Sequence, residues 1–297
     1  MPHEHGRVRS GDVDIFYRRF GTPGAVPMLL FHGGNYYDSH DWVEVAEKLS
    51  HDREVAAFDA RGFGESGRSS TRDYSHAAQM ADALGVLDHL GWARAIVVGH
   101  SRGGAYALLF AARFPQRGAG LVIIDYCPGY GIGPRGMPVV MSQSIGNQFQ
   151  VFPDANAALA GTSRFAGGPG AAHQRRFASL LRTINGGLVL AKRDPDFSNQ
   201  IPTAPGPWPA LDVGDMWVEL DKVRAPTLVV RALRSTAGYT NKDVERLRSD
   251  HPEIDVVDIE SGHDVIAESP DELARTIQNW STRHDNDLGR DVYREEA

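Results

Sequence analysis

Two rhythms of apolar residues take turns along most of the chain. Short aliphatic runs at 27–31, 96–98, 121–124, 226–230 and 254–259, with a further run at 54–58, are each too short for a helix and bounded by Gly, Pro or Asp. They predict strands, most of them buried on both faces. Between them Trp42, Val45, Ala46 and Leu49, then Met80, Leu84 and Leu87, then Ala105, Leu108, Leu109 and Ala112 recur at three- and four-residue spacing. Leu273, Ile277 and Trp280 do the same near the end. Such stripes predict helices with one face on a core. Residues 12–17 alternate polar and apolar, an additional strand closed by a glycine turn at 21–24, and 240–247 reads as a short helix. Ser269-Pro270-Asp271-Glu272 is expected to open the last helix as a capping box. Strand and helix in alternation predict an α/β domain whose mostly parallel sheet carries helices on both faces.

After Cys127 the rhythm dissolves. Residues 128–220 are rich in Gly and Pro, show only weak helical periodicity at 171–182, and place prolines at 202, 205, 207 and 209. Long irregular insertions in compact domains are commonly lids. The expected division is therefore a core of 1–127 and 221–297 with 128–220 as an inserted cap, and Tyr126, Trp208 and Trp217 are candidates for lining an apolar substrate pocket. The charged tail from Arg283 is expected to be a surface arm.

Composition narrows the partner. At 297 residues the chain is long enough for one large core, and a net charge of −7 with scattered arginines offers no basic field for nucleic acid. A small-molecule substrate fits better. The single cysteine, Cys127, excludes an internal disulfide, and twelve histidines without a His-Glu-x-x-His pattern give no metal site, so neither metal nor cofactor is expected. No apolar run resembles a signal peptide or approaches the roughly 20 residues that cross a bilayer. A cytoplasmic location without membrane attachment is expected; assembly as a homodimer stays open.

The candidate chemistry lies between the run at 96–98 and the helix that follows. Gly99-His100-Ser101-Arg102-Gly103 is Gly-x-Ser-x-Gly in a strand-to-helix turn, where small neighbours let strand and helix nearly touch and the Ser101 hydroxyl is lifted clear of the sheet. The helix N-terminus behind it suits a developing oxyanion. The run at 27–31 leads into His32-Gly33-Gly34, where glycine lets bare backbone approach a ligand. Gly34 and Arg102 are the expected oxyanion-hole N–H donors, and Gly33 an expected substrate contact. A serine nucleophile needs a base, and His263, in a Gly-His loop after a late strand, is on the expected edge of the sheet. His100 is the rival, but lies inside the turn with its ring expected to point away. The loop Asp59-Ala-Arg61-Gly-Phe-Gly-Glu-Ser66 reads as a structural turn with Asp59 and Arg61 able to pair across it.

Taken in order, His-Gly-Gly, Asp-x-Arg-Gly-x-Gly-x-Ser, Gly-His-Ser-Arg-Gly and Gly-His-Asp resemble the α/β-hydrolase superfamily over about 8–127 and 221–282. The resemblance implies an eight-stranded sheet, Ser101 as nucleophile, His263 as base, and the Gly34 and Arg102 amides as oxyanion hole. The chain departs from the family in its acid. Most members carry it after the strand that here is 226–230, yet 231–240 contains no Asp or Glu and Thr236 stands about where it is expected. A minority branch carries the acid after the strand following the elbow helix, which is Asp125; Asp264 and Asp258 are weaker alternatives. That arrangement resembles ester, amide, lactone and carbon–carbon bond hydrolases, and also cofactor-free dioxygenases of heteroaromatic rings. A ligand-binding receptor on the same fold is the third reading.

Overall fold

The structure is a computed structural model that describes residues 3–34, 38–130, 151–157, 181–184, 187–190, 215–235 and 238–284. Its main sheet is built from β1 (Glu4–Ser10), β2 (Val13–Phe20), β3 (Ala25–Phe31), β4 (Arg53–Phe58), β5 (Ala95–His100), β6 (Gly118–Ile124), β10 (Thr227–Ala232) and β11 (Asp255–Ile259). Their spatial order is β1-β2-β4-β3-β5-β6-β10-β11. The pairs β1–β2 and β2–β4 are antiparallel and every later pair is parallel. The helices are α1 (Val43–Leu49), α2 (His76–His89), α3 (Arg102–Arg113), α4 (Met216–Leu220), α5 (Asn241–Asp250), α6 (Val265–Glu268) and α7 (Pro270–Arg283).

Alternation within the central strands explains their unbroken apolar runs. Leu29, Phe31, Val97, Leu121, Ile123 and Val229 share a core with side chains of α2, α3 and α4. Met28, Leu30, Ile96, Val98, Val122, Ile124, Leu228 and Val230 share the opposite one with α1, α6 and α7. A strand covered on both faces has no position at which a polar residue is cheap.

The structure adds one strand and corrects two local expectations. First, β1 is a strand that the apolar pattern does not announce: only Val8 is aliphatic, and the ladder to β2, from Glu4↔Arg19 to Ser10↔Val13, holds it. Second, Ser269 makes no side-chain cap to α7; its N–H closes α6 on the Val265 carbonyl, so its backbone serves two helices at once. Capping boxes form instead at α5, between Thr240 and Asp243, and at the 3-10 turn Ser39–Trp42, between Asp38 and Asp41. Third, Asp59 and Arg61 do not pair. Arg61 reaches α2 and makes a two-pronged ion pair with buried Asp82 at 2.7 and 2.8 Å. Asp59 accepts the N–H groups of Ser39 and Glu65, at 2.6 and 2.7 Å. A turn this polar uses its charges to tie loops to neighbours rather than to close on itself.

Between β6 and β10 the described residues include a separate three-stranded antiparallel sheet, β7 (Val151–Phe152), β9 (Gly187–Leu190) and β8 (Leu181–Ile184) in that order. Apart from Leu181 and Arg182, which lie in β8, the expected helical stretch at 171–182 lies outside the described residues. Met216, Trp217 and Leu220 of α4 are buried in the same core as α3.

Candidate active site

Each of two candidate groups leaves its strand one step beyond the last paired residue. Ser101 follows β5 at φ 55°, and Asp125 follows β6 at φ 46°. Non-glycine residues rarely occupy this region, and something must hold them there. A staircase of backbone bonds does so: Ser101 N–H donates to the Ile124 carbonyl, and Asp125 N–H to the Val230 carbonyl, at 2.9 and 2.8 Å. Glycine completes the elbow. A Cβ on Gly99 would lie 2.1 Å from the Gly103 carbonyl oxygen, and one on Gly103 would lie 2.3 Å from that of Phe31.

His263 comes from the loop after β11 and bridges the other two. Its Nε2 lies 2.9 Å from Ser101 Oγ and its Nδ1 2.6 Å from Asp125 Oδ2. With Nδ1–H donating to the carboxylate, Nε2 is left as acceptor for the hydroxyl proton. The Asp125 side chain is 0% exposed whereas that of His263 is 30% exposed, so the carboxylate is shielded from water and the imidazole is reachable. Of the two weaker candidates for the acid, Asp258 is taken by Arg231 at 2.7 and 2.8 Å, and Asp264 begins α6.

His100 is buried and its Nε2 donates to the His263 carbonyl at 2.7 Å. Burial, with the His263 ring 5.0 Å away between centroids, pushes its pKa down to about 4. It is a neutral strut under the His263 loop rather than a second base.

Gly34 and Arg102 are brought together: a Cβ on Gly34 would lie 3.6 Å from Arg102 Cβ. Arg102 is the first residue of α3, where helical N–H groups have no acceptor within the helix. Its guanidinium lies 4.6 Å over the Phe63 ring and 5.8 Å over that of Tyr106. His32 steadies the glycine pair from behind, with Nδ1 donating to the Gly33 carbonyl at 2.8 Å and Nε2 accepting from Ala60 N–H at 3.0 Å.

The pocket candidates are less uniform. Tyr126 and Trp217 are buried members of the core next to α3, and Arg246 lies 4.1 Å over the Trp217 ring. Trp208 and Thr236 fall outside the described residues. Cys127 is buried, which pushes its thiol up to about 12. No cluster of three metal-ligating side chains occurs among the described residues, and among them no helix is long and apolar enough to cross a membrane. Two contacts have no signature in the sequence pattern. Ala232 N–H donates to Asp125 Oδ1 at 3.3 Å, and Gly238 packs against the same carboxylate.

A family model for the alpha/beta hydrolase fold matches residues 26–270, and the chain belongs to that family. It is similar to a bifunctional esterase/perhydrolase of Acinetobacter calcoaceticus, 34% identical over 151 residues, 48% of this chain and 54% of that protein. It is also similar to epoxide hydrolase 4 of Mus musculus, 29% identical over 125 residues, 42% of this chain and 34% of that one. The chain thus matches about half or less of the length of these relatives. Among solved structures it resembles E-2-(acetamidomethylene)succinate hydrolase, with TM-score 0.78 and 25% identity over 95% of this chain and 100% of that one.

Proposed function

We propose that the chain is a serine hydrolase that cleaves a small ester, lactone, amide or carbon–carbon bond substrate by acyl transfer to water. The observation that carries this reading is the unbroken run Ser101 Oγ, His263 Nε2, His263 Nδ1, Asp125 Oδ2, with links of 2.9 and 2.6 Å. In the first half-reaction His263 Nε2 takes the hydroxyl proton as Ser101 Oγ bonds to the substrate carbonyl carbon. The oxygen becomes an anion facing the Gly34 and Arg102 N–H groups. Collapse expels the leaving group, which takes the proton from His263. Water then repeats the sequence on the acyl-enzyme and restores Ser101. Asp125 holds the imidazole in the Nδ1–H tautomer and stabilises the imidazolium.

Relatives named for epoxide hydrolysis and dehalogenation do not move the reading toward alkyl-ester chemistry, because position 101 holds a hydroxyl and not a carboxylate. Residues 128–220 are proposed to form the cap that selects the substrate, which their interruption between β6 and β10 supports. The test is a panel of esters, lactones, amides and dienone acids with the wild type and Ser101→Ala, together with fluorophosphonate labelling. Turnover and labelling that vanish together in the variant are expected. Oxygen uptake with a ring-hydroxylated heteroaromatic, or no labelling at all, would replace the reading by an oxygenase or a receptor.

A further inference from the structure

We infer that Gly238 is a positioning residue, whose missing side chain leaves the space for the carboxylate that β6 delivers. The inference rests on the reading of Asp125 as the partner of His263. A methyl group on Gly238 would lie 1.9 Å from Asp125 Oδ1, 2.7 Å from its carboxyl carbon and 3.2 Å from Oδ2. The space beside Gly238 and the Asp125 carboxylate are therefore one and the same. Only one of the two positions can carry a side chain into it.

The carboxylate has nowhere to retreat. Its backbone is held at φ 46° with its N–H on the Val230 carbonyl. Oδ1 accepts from Ala232 N–H, and Oδ2 is 2.6 Å from His263 Nδ1. A side chain at 238 must push the loop away, stripping Ala232 N–H from Oδ1, or push the carboxylate out of line with the imidazole. Misplacement on the scale of 1 Å in such a constellation costs about 10²-fold in rate. The residue composition of 231–240 fits the same picture: a loop that accommodates a foreign acid has no need of one of its own.

The test compares wild type, Gly238→Ala, Asp125→Ala and the double variant, using the substrate best turned over in the panel above. Three readouts are taken: kcat against KM, the far-downfield proton resonance of the short His263–Asp125 bond, and the melting temperature. Gly238→Ala is expected to lower kcat about 10²-fold with KM little changed. It should also shift or abolish the resonance and lower the melting temperature. In the Asp125→Ala background the same substitution should lower neither residual kcat nor melting temperature, because the group it strikes is gone. Wild-type kcat and resonance in Gly238→Ala would overturn the inference, as would an equal penalty in both backgrounds. If Gly238→Ala fails to fold, a folded double variant supports the inference and an unfolded one overturns it. Wild-type turnover in Asp125→Ala alone would instead overturn the acid assignment, and the inference with it.

Discussion

Asp125 meets two demands with one carboxylate: Oδ2 faces the imidazole while Oδ1 takes a backbone N–H from β10. Asp125→Asn keeps the size of the group but presents an amide to Nδ1, favouring the wrong tautomer. Turnover is expected to fall by a factor approaching about 10⁴ with the melting temperature little changed, whereas Thr236→Ala should leave kcat near wild type. In the proposed mechanism Ser101 and His263 act as a unit, so each alanine variant should cost on the order of 10⁴ or more in kcat and the double variant little beyond that; additive losses would contradict it. Legibility differs among these residues for physical reasons. Ser101 announces itself because its turn demands glycines at 99 and 103, a constraint written in adjacent positions. Asp125 emerges only through the family resemblance, once the lack of Asp and Glu in 231–240 turns attention to the branch that carries its acid after the strand following the elbow helix. Gly238 is invisible, since its neighbour in space is 113 residues away in sequence.

At the scale of elements, the candidate site is a product of how strands and helices are clamped. Gly103→Ala would drive a methyl to 2.3 Å from the Phe31 carbonyl, a backbone atom that cannot rotate aside, prying α3 from β3. A loss of stability of about 1–3 kcal/mol is expected from denaturant titration, with labelling of Ser101 slowed in parallel. The second clamp joins the loop after β4 to α2. Arg61→Met would leave the buried Asp82 carboxylate without its two-pronged partner, and such breakage costs about 3–5 kcal/mol, readable in the same titration. The inner strands of the main sheet and its longer helices were legible because burial on two faces, or on one stripe, writes a period into the residues, whereas β1 carries no such period. The partner of Arg61 was not, because an arginine in a loop records that it needs a carboxylate but not which one.

For the molecule as a whole, His100 links the site to acid stability. Its folded pKa of about 4 lies below the unfolded value of 6.5, so the unfolded chain binds the extra proton in that window. Stability from this group is complete above pH 6.5 and is lost as pH falls toward 4, by on the order of 3 kcal/mol. His100→Gln, which can still donate to the His263 carbonyl, should show a smaller fall in stability between pH 6.5 and 4 than the wild type in urea titrations.

The sheet order also imposes a schedule on biosynthesis. β10 docks beside β6, yet about a hundred residues separate Ile124 from Thr227. At the ~5–20 residues per second of ribosomal synthesis, the edge of β6 waits roughly 5–20 seconds for its neighbour. During that interval an aliphatic strand, buried on every side in the finished molecule, stands at the rim of a half-built sheet. Nascent chains stalled near residue 220 are therefore expected to be bound by chaperones and to aggregate on release, whereas those carrying the chain past Ile259 should not. Ser101 and Asp125, the proposed nucleophile and acid, emerge early, but the proposed triad is incomplete until His263 has cleared the ribosome.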